Sequence, residues 1–131
     1  MAGLHFELVS PAKLLFSGNV AAVTLPGTEG EMTIMPMHAP VLVTLRPGII
    51  TVAKDGGATD KMFVRGGFAE VNAKGLTVLA ETAIAMADFN ANALAAQISS
   101  AENEVTAALE GEAKRKAMEN LDHLRGLQGA V

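Results

Sequence analysis

The sharpest changes of backbone direction are expected over residues 25–40, whose sequence is LPGTEGEMTIMPMHAP. This stretch holds three of the chain's five prolines and two of its glycines. Proline fixes φ and lacks a backbone donor, whereas glycine permits positive φ, so we predict a shaped loop, a short strand over 32–35 and a second stiff loop. Glu29 and Glu31 share one face if the chain between them is extended. The stretch is therefore predicted to form a rigid polar edge against which another molecule docks.

Composition limits the class of protein. The chain has 131 residues, enough for one domain or for one domain with an appendage. Half of its residues are hydrophobic but only 4% are aromatic, which predicts an aliphatic, methionine-rich core. A formal net charge of -4 and the scarcity of aromatic residues disfavour a nucleic-acid-binding protein. The absence of cysteine excludes disulfides, thiolate zinc sites and a cysteine nucleophile.

No targeting or membrane-spanning segment is expected. Residues 1–8 have neither a basic region nor a long apolar run, so we predict no secretory signal and no transit peptide. No segment reaches the roughly 18 uninterrupted apolar residues that a membrane helix needs. We therefore expect a soluble protein that associates with a membrane only through a partner.

The first part of the chain is typical of short antiparallel strands. All five prolines and ten of the thirteen glycines precede Met86, and they separate runs in which apolar and polar residues alternate. This pattern predicts an antiparallel β-sandwich, and the clearest hairpin turn is at 54–57 because Asp-Gly tolerates positive φ. The predicted turns are 17–19, 26–27, 36–40, 46–48, 55–57, 66–67 and 73–75.

The last part is predicted to form two helices. Asp88 or Asn90 can cap the first helix, and Gly111 separates it from the second. The two apolar stripes are Leu94, Ile98, Ala101, Val105 and Leu109, then Ala117, Leu121 and Leu124. The predicted fold is mainly β with a C-terminal α appendage: an N-terminal antiparallel β-sandwich over 1–87, then a two-helix antiparallel hairpin over 88–131. With so few large apolar residues, the hairpin is expected to be marginal alone.

No catalytic or metal-binding pattern is recognisable. Glu29 and Glu31 admit an acid–base interpretation, but two glutamates in a glycine-rich loop are more often a solvated acidic edge, which we favour. His38 has no second histidine at ligand spacing, so we predict a loop histidine bonded to backbone. The glycines match neither a dinucleotide-binding fingerprint nor a phosphate-binding loop. We predict no catalytic residue, metal or cofactor.

The residues of the first part, taken together, resemble the ε subunit of the F-type ATP synthase of bacteria. The most specific motif is the glycine-rich acidic loop over 26–31 followed by the Pro-x-His-Ala-Pro pattern over 36–40. The order of sandwich and hairpin agrees as well. The resemblance continues through 6–10, 15–18, 47–48, 66–71 and 77–83.

The resemblance implies a non-catalytic rotor subunit of the central stalk, with no cofactor. It implies that the sandwich binds the γ shaft and the polar loops of the c-ring, and that it couples ion translocation to ATP synthesis. Glu31 is then expected to face the c-ring loops, with Glu29 and His38 near the same interface. Contact of the hairpin with the catalytic head stays open. The expected location is the cytoplasmic side of the bacterial inner membrane, as a peripheral protein.

The start of the first helix lacks an ATP-binding motif of the resembled family. Some members of the resembled family bind ATP through an Asp-x-x-Arg-Ala motif at the start of the first helix. The aligned residues 90–94 are Asn-Ala-Asn-Ala-Leu, so the carboxylate and the arginine are missing and weak ATP binding is expected.

The alternative to a rotor subunit is a free-standing β-sandwich interaction module with a docking helical hairpin. Co-purification with a γ-like shaft protein distinguishes the two hypotheses.

Overall fold

The computed structural model describes residues 3–108 and 110–128. The chain divides between Ile84 and Ala85 into two compact units. The first contains the strands and the second contains the helices. The elements within the described residues are β1 Leu4–Val9, β2 Leu14–Val20, β3 Ala22–Gly27, β4 Gly30–Ile34, β5 Val41–Thr44, β6 Gly48–Ala53, β7 Thr59–Asn72, β8 Gly75–Ala85, α1 Ala91–Ala107 and α2 Glu112–Gly126.

The strands enclose one apolar core. They are hydrogen-bonded in the order β2-β1-β8-β7-β6-β3-β4, with β5 paired to β7. All eight strands contribute buried side chains to a single cluster, which a flat sheet could not do because its strands would be too far apart. The predicted β-sandwich is thus confirmed. The largest fully buried side chains of this core include Phe6, Leu8, Leu25, Ile34, Ile50 and Leu76.

Strand β7 bends at two glycines, and its two halves pair with different strands. Its first half pairs with β6 and contributes Val64 to the sandwich core, whereas its second half pairs with β5 and contributes Ala69. The inward-facing residues therefore change from even to odd numbers between these positions. Gly66 and Gly67 lie there with φ of 76° and 109°. An extra residue in one strand, a β-bulge, has this effect on which side chains face inward.

Gly67 also lies where no side chain fits. A Cβ atom at this position would be 1.9 Å from the carbonyl oxygen of Leu79. The close approach of β7 and β8 therefore requires glycine for its size as well as for its φ. The predicted turn at 66–67 is wrong, because the two glycines bend a continuous strand instead of ending it.

Two other sequence expectations need correction. The predicted turn at 17–19 lies inside β2, where Ser17 is opposite Glu7 and Asn19 is opposite His5. Pairing with β1 satisfies the backbone there, and this outweighs the turn preference of the residues. One described pair is also parallel: β1 runs beside β8 from Phe6↔Leu76 to Val9↔Leu79. The 54–57 turn is confirmed, since it joins β6 to β7 with positive φ at Gly56 and Gly57.

The first helix of the helical unit begins with Asn90, one of the two predicted caps. The Asn90 side chain accepts a hydrogen bond of 2.9 Å from the backbone N–H of Ala93 and has the extended conformation of an N-cap. Gly111, with φ of 97°, precedes α2. From the predicted stripes Leu94, Ala101, Leu121 and Leu124 are buried, whereas Ile98, Val105 and Ala117 are half-buried. The predicted stripe residue Leu109 lies outside the described residues.

Charged side chains lie on the exposed surface of α2. Arg115 pairs with Glu112 and with Glu119. Hydrogen bonding to the Arg115 guanidinium holds the pKa of Glu112 below its usual range. Between the helices, Arg125 donates to Glu102 at 3.2 Å. These exposed pairs contribute little to stability.

The domain boundary predicted at 87/88 can be tested by truncation. We expect residues 1–87 alone to fold cooperatively, because every residue of the sandwich core precedes Ile84. A thermal melt followed by far-UV circular dichroism measures this, with the full chain as control. A gradual, non-cooperative loss of signal from the truncated chain would contradict the prediction.

Candidate partner interface

Glu29 lies at the exposed tip of the β3–β4 hairpin. The predicted loop over 26–31 is instead this hairpin, in which Gly27 is opposite Gly30 and Pro26 is opposite Glu31. Thr28 and Glu29 form a two-residue turn, and Gly30 follows with φ of 129°. The hairpin is tightly closed, because a Cβ atom at Gly27 would lie 2.8 Å from the Gly30 carbonyl oxygen.

Glu31 lies on β4 and is exposed. The predicted strand over 32–35 is observed over Gly30–Ile34, so that Glu31 and Thr33 face outward and Ile34 faces the core. The expectation that Glu29 and Glu31 share one face depended on an extended chain between them. Glu29 lies in the turn, so strand alternation does not apply to the pair. Within the described residues neither carboxylate has an ion-pair partner, and both remain available to an external cation.

His38 is held by its own loop. Its Nδ1 donates to the Ala39 carbonyl at 2.7 Å, and its backbone N–H donates to the Met35 carbonyl at 3.2 Å. This confirms the predicted loop histidine bonded to backbone. Met37, the preceding residue, has a φ of 69°, which is uncommon for a residue with a side chain.

His38 and Glu29 border different concave regions. His38 lines a cavity of about 460 Å³, here named the histidine cavity, which His5 also lines. Glu29 lines a groove of about 320 Å³ between the hairpin tip and β5, here named the β5 groove. His5 and His38 are far apart in the sequence, so the sequence alone did not predict that they line the same cavity. In the part of the chain that the structure describes, no three His, Asp or Glu residues are placed to hold a metal ion.

An exposed apolar row crosses the outer face of the sheet, and the sequence analysis missed it. Val9 is directly opposite both Leu14 on β2 and Leu79 on β8. Phe68 is on the adjacent strand β7, one residue after the glycine that contacts the Leu79 carbonyl. Leu14, Phe68 and Leu79 are 55%, 42% and 38% exposed. We name these four residues the outer apolar row.

The three consecutive apolar residues over 78–80 are the sequence signal that could have indicated this row. Leu76, Val78 and Ala80 alternate along β8 and are buried, whereas Leu79 lies between them on the outer face and is also apolar. A strand with one solvated face is expected to be polar at such positions. Apolar residues that are grouped on a protein surface, unlike single scattered ones, are typical of interaction sites.

Known proteins resemble this chain over its whole length. The family model described as ATP synthase, Delta/Epsilon chain, beta-sandwich domain matches residues 3–86. The ATP synthase epsilon chain of Parvibaculum lavamentivorans is 52% identical over 128 residues, which covers 98% of this chain and 97% of the relative. The epsilon chain of Maricaulis maris is 52% identical over 114 residues, covering 87% of this chain and 85% of the relative.

Solved structures share the fold. A chain in the cryo-EM structure of the Euglena gracilis mitochondrial ATP synthase OSCP/F1/c-ring assembly matches with a TM-score of 0.76 and 26% identity. The match covers 99% of this chain and 82% of that one. A chain in the Tetrahymena thermophila mitochondrial ATP synthase central stalk and c-ring structure matches with a TM-score of 0.68 at 14% identity, covering 96% of each chain. This second likeness shows the fold alone.

The described residues form a β-sandwich with an exposed apolar row and an acidic tip, followed by two helices, which is the arrangement of a subunit that acts by binding within a larger assembly. The chain belongs to the ATP synthase Delta/Epsilon chain family, and its relatives are epsilon chains. It is a non-catalytic stalk subunit of that complex. This confirms the resemblance on which the sequence analysis relied. The described residues include no helix long and apolar enough to cross a membrane.

Proposed function

We propose that the sandwich links the γ shaft to the polar loops of the c-ring, and so helps to couple ion translocation to ATP synthesis. The observation that carries this proposal is that one compact unit exposes both the outer apolar row and an acidic tip. Two chemically different surfaces allow one small subunit to bind two partners. The match to a chain of the Euglena F1/c-ring assembly supports this context.

The outer apolar row is the surface we assign to the γ shaft. A permanent subunit interface is more apolar than the surrounding surface, and aromatic residues near its centre contribute most of the binding energy. The row supplies one aromatic residue, Phe68, and Leu79 beside it in strand order; both are exposed although both adjoin buried positions. Both residues lie on hydrogen-bonded strands, and such a rigid support suits a subunit that transmits torque.

The acidic tip is the surface we assign to the c-ring loops. Glu31 faces solvent on a short, closed hairpin, and Glu29 projects from its turn. A carboxylate on a rigid tip can accept hydrogen bonds from the polar or cationic groups of a loop. His38 lines the separate histidine cavity, and its assignment to the same interface is supported by the family resemblance and not by this geometry.

The proposed location follows from these contacts. Epsilon chains belong to a membrane-associated complex, and the relatives in the comparison are bacterial. We place this subunit on the cytoplasmic side of the inner membrane, held there peripherally by its partners.

The γ assignment can be tested with Leu79→Lys. We expect this change to weaken binding to the epsilon-free complex about tenfold, because it places a charge in a desolvated interface. Binding of the fluorescently labelled chain measures the affinity, and a thermal melt measures stability. Ala58→Lys, which adds the same charge to an exposed turn, is the matched control. Equal affinities of the two variants would contradict the assignment.

The c-ring assignment can be tested with Glu31→Lys. We expect coupled proton pumping of the reconstituted complex to fall, and binding to weaken about tenfold, since charge reversal opposes a complementary partner. The free energy of unfolding should change by no more than about 0.5 kcal/mol, because Glu31 is exposed. Asp55→Lys makes the same charge change in the exposed β6–β7 turn and should pump normally. Normal pumping by Glu31→Lys would contradict the assignment of the acidic tip to the c-ring loops.

The helical hairpin is proposed to be at most a weak regulator. The Asn90 side chain, which replaces the carboxylate of the ATP-binding motif, is already used to cap α1. Ala93 replaces the arginine of that motif and offers no charge to phosphate. A triphosphate needs cationic or N–H partners to offset its desolvation. Lys114 and Lys116 on α2 are the groups that could contact an acidic partner such as the catalytic head.

We expect MgATP to show no micromolar binding to the isolated chain in titration calorimetry. The double variant Asn90→Asp, Ala93→Arg restores the carboxylate and the arginine of the motif and is the matched comparison. We also expect ATPase activity of the complex to change less than about twofold when residues 88–131 are removed, because the groups for nucleotide contact are missing. Micromolar affinity, or a several-fold activation on truncation, would contradict the proposal that the hairpin is at most a weak regulator.

A further inference from the structure

The β5 groove contains a free strand edge. Strand β5 pairs with β7 along one side over Val41↔Val71 to Thr44↔Phe68. Its other side meets the β3–β4 hairpin only at its C-terminal end, through Gly27↔Leu45. Beyond the hairpin tip, no described strand lies beside this second side of β5.

The hydrogen bonds show which backbone groups face the groove. Leu45 donates to the Gly67 carbonyl at 3.1 Å, so odd-numbered residues are directed at β7. Thr44 accepts from Thr28 at 2.9 Å, and Arg46 donates to Pro26 at 2.9 Å, so even-numbered residues are directed at the hairpin. The N–H and C=O of one residue in an antiparallel strand point to the same side.

The N–H and C=O of Leu42 therefore point into the β5 groove, past the end of the hairpin. Pro40 precedes it on the same side and has no N–H. Leu42 thus provides the backbone donor of this edge, and its side chain is 67% exposed. An unpaired donor and acceptor on an accessible strand edge form a template for another extended chain.

The groove also indicates the character of its partner. Met32 and the nearly buried Val43 give it an apolar wall. Glu29, which has no ion pair within the described residues, is its one charged lining group. Alternate side chains of an added strand face opposite ways, so one apolar residue and one lysine or arginine would complement the two walls.

We propose that an extended segment of a partner subunit, carrying a lysine or arginine, adds as a strand to β5 by pairing its backbone with Leu42. The proposal rests on the proposed function, because it supposes that the chain binds within the stalk. It specifies a contact that depends on main-chain hydrogen bonds and not on side-chain charge alone.

Leu42→Pro tests the backbone contact. The substitution removes an N–H that faces the groove and leaves the ladder to β7 intact, and proline is tolerated on a strand edge in this orientation. We expect affinity for the epsilon-free complex to fall about tenfold, because a partner carbonyl loses its donor. Leu42→Ala retains the N–H and is the matched control, with an expected loss of less than about threefold. Equal losses for the two variants would overturn the proposal.

A second measurement keeps the test decisive if the proline variant unfolds. Hydrogen exchange of the Leu42 amide is compared between the free chain and the assembled complex. Protection of at least about tenfold on assembly is expected for a hydrogen-bonded amide, and an unchanged rate overturns the proposal. If the wild-type chain fails to bind the complex at all, the proposed function fails instead. If it binds and Leu42→Pro binds equally well, only the added strand is excluded.

Discussion

The contact of Gly67 with the Leu79 carbonyl is the constraint on which the sandwich depends. It allows β7 to change, within one strand, the side that faces the core. Without that change the second half of β7 would turn Phe68 inward and Ala69 outward. The sheet then could not close around one core, and β5 would lose the partner that holds it in place. A residue with a side chain cannot replace this glycine without moving β8.

The same constraint positions the surfaces assigned to partners. Phe68 follows Gly67 directly, so the outer apolar row begins where the strand bends. Strand β5, paired to the second half of β7, continues through Leu45 to the hairpin that carries Glu29 and Glu31. Binding surfaces that share one set of strand pairs move as one body. For a stalk subunit this means that a displacement of the acidic tip moves the outer apolar row by nearly the same amount.

Much of this fold could be predicted from the sequence because local pattern determines it. Alternating apolar and polar residues predicted the strands before Met86, and Asn90 was one of the two caps predicted from residue type. The errors share one cause. Gly66-Gly67 and residues 17–19 have the composition of turns, and only their partners on neighbouring strands make them parts of strands. Pairing between distant residues is not visible in a single sequence.

The candidate site was predictable to a similar degree. The acidic tip and the loop histidine follow from short motifs, and both were found. The outer apolar row needs the register of four strands, because Leu14 and Leu79 become neighbours only through Val9. The free edge of β5 needs still more information, since the direction of a backbone N–H depends on hydrogen bonds that the residue type of Leu42 does not encode.

The parallel pairing of β1 with β8 has a mechanical consequence. The two strands run in the same direction from Phe6↔Leu76 to Val9↔Leu79. The start of β1 and the exit of β8 toward the helices therefore lie at opposite ends of the pair. A pull between the amino-terminal end of the sandwich and its helical unit would load these hydrogen bonds in shear, all at once, and not one after another as in a zipper. Such an arrangement resists force far better than a hairpin pulled from its open end.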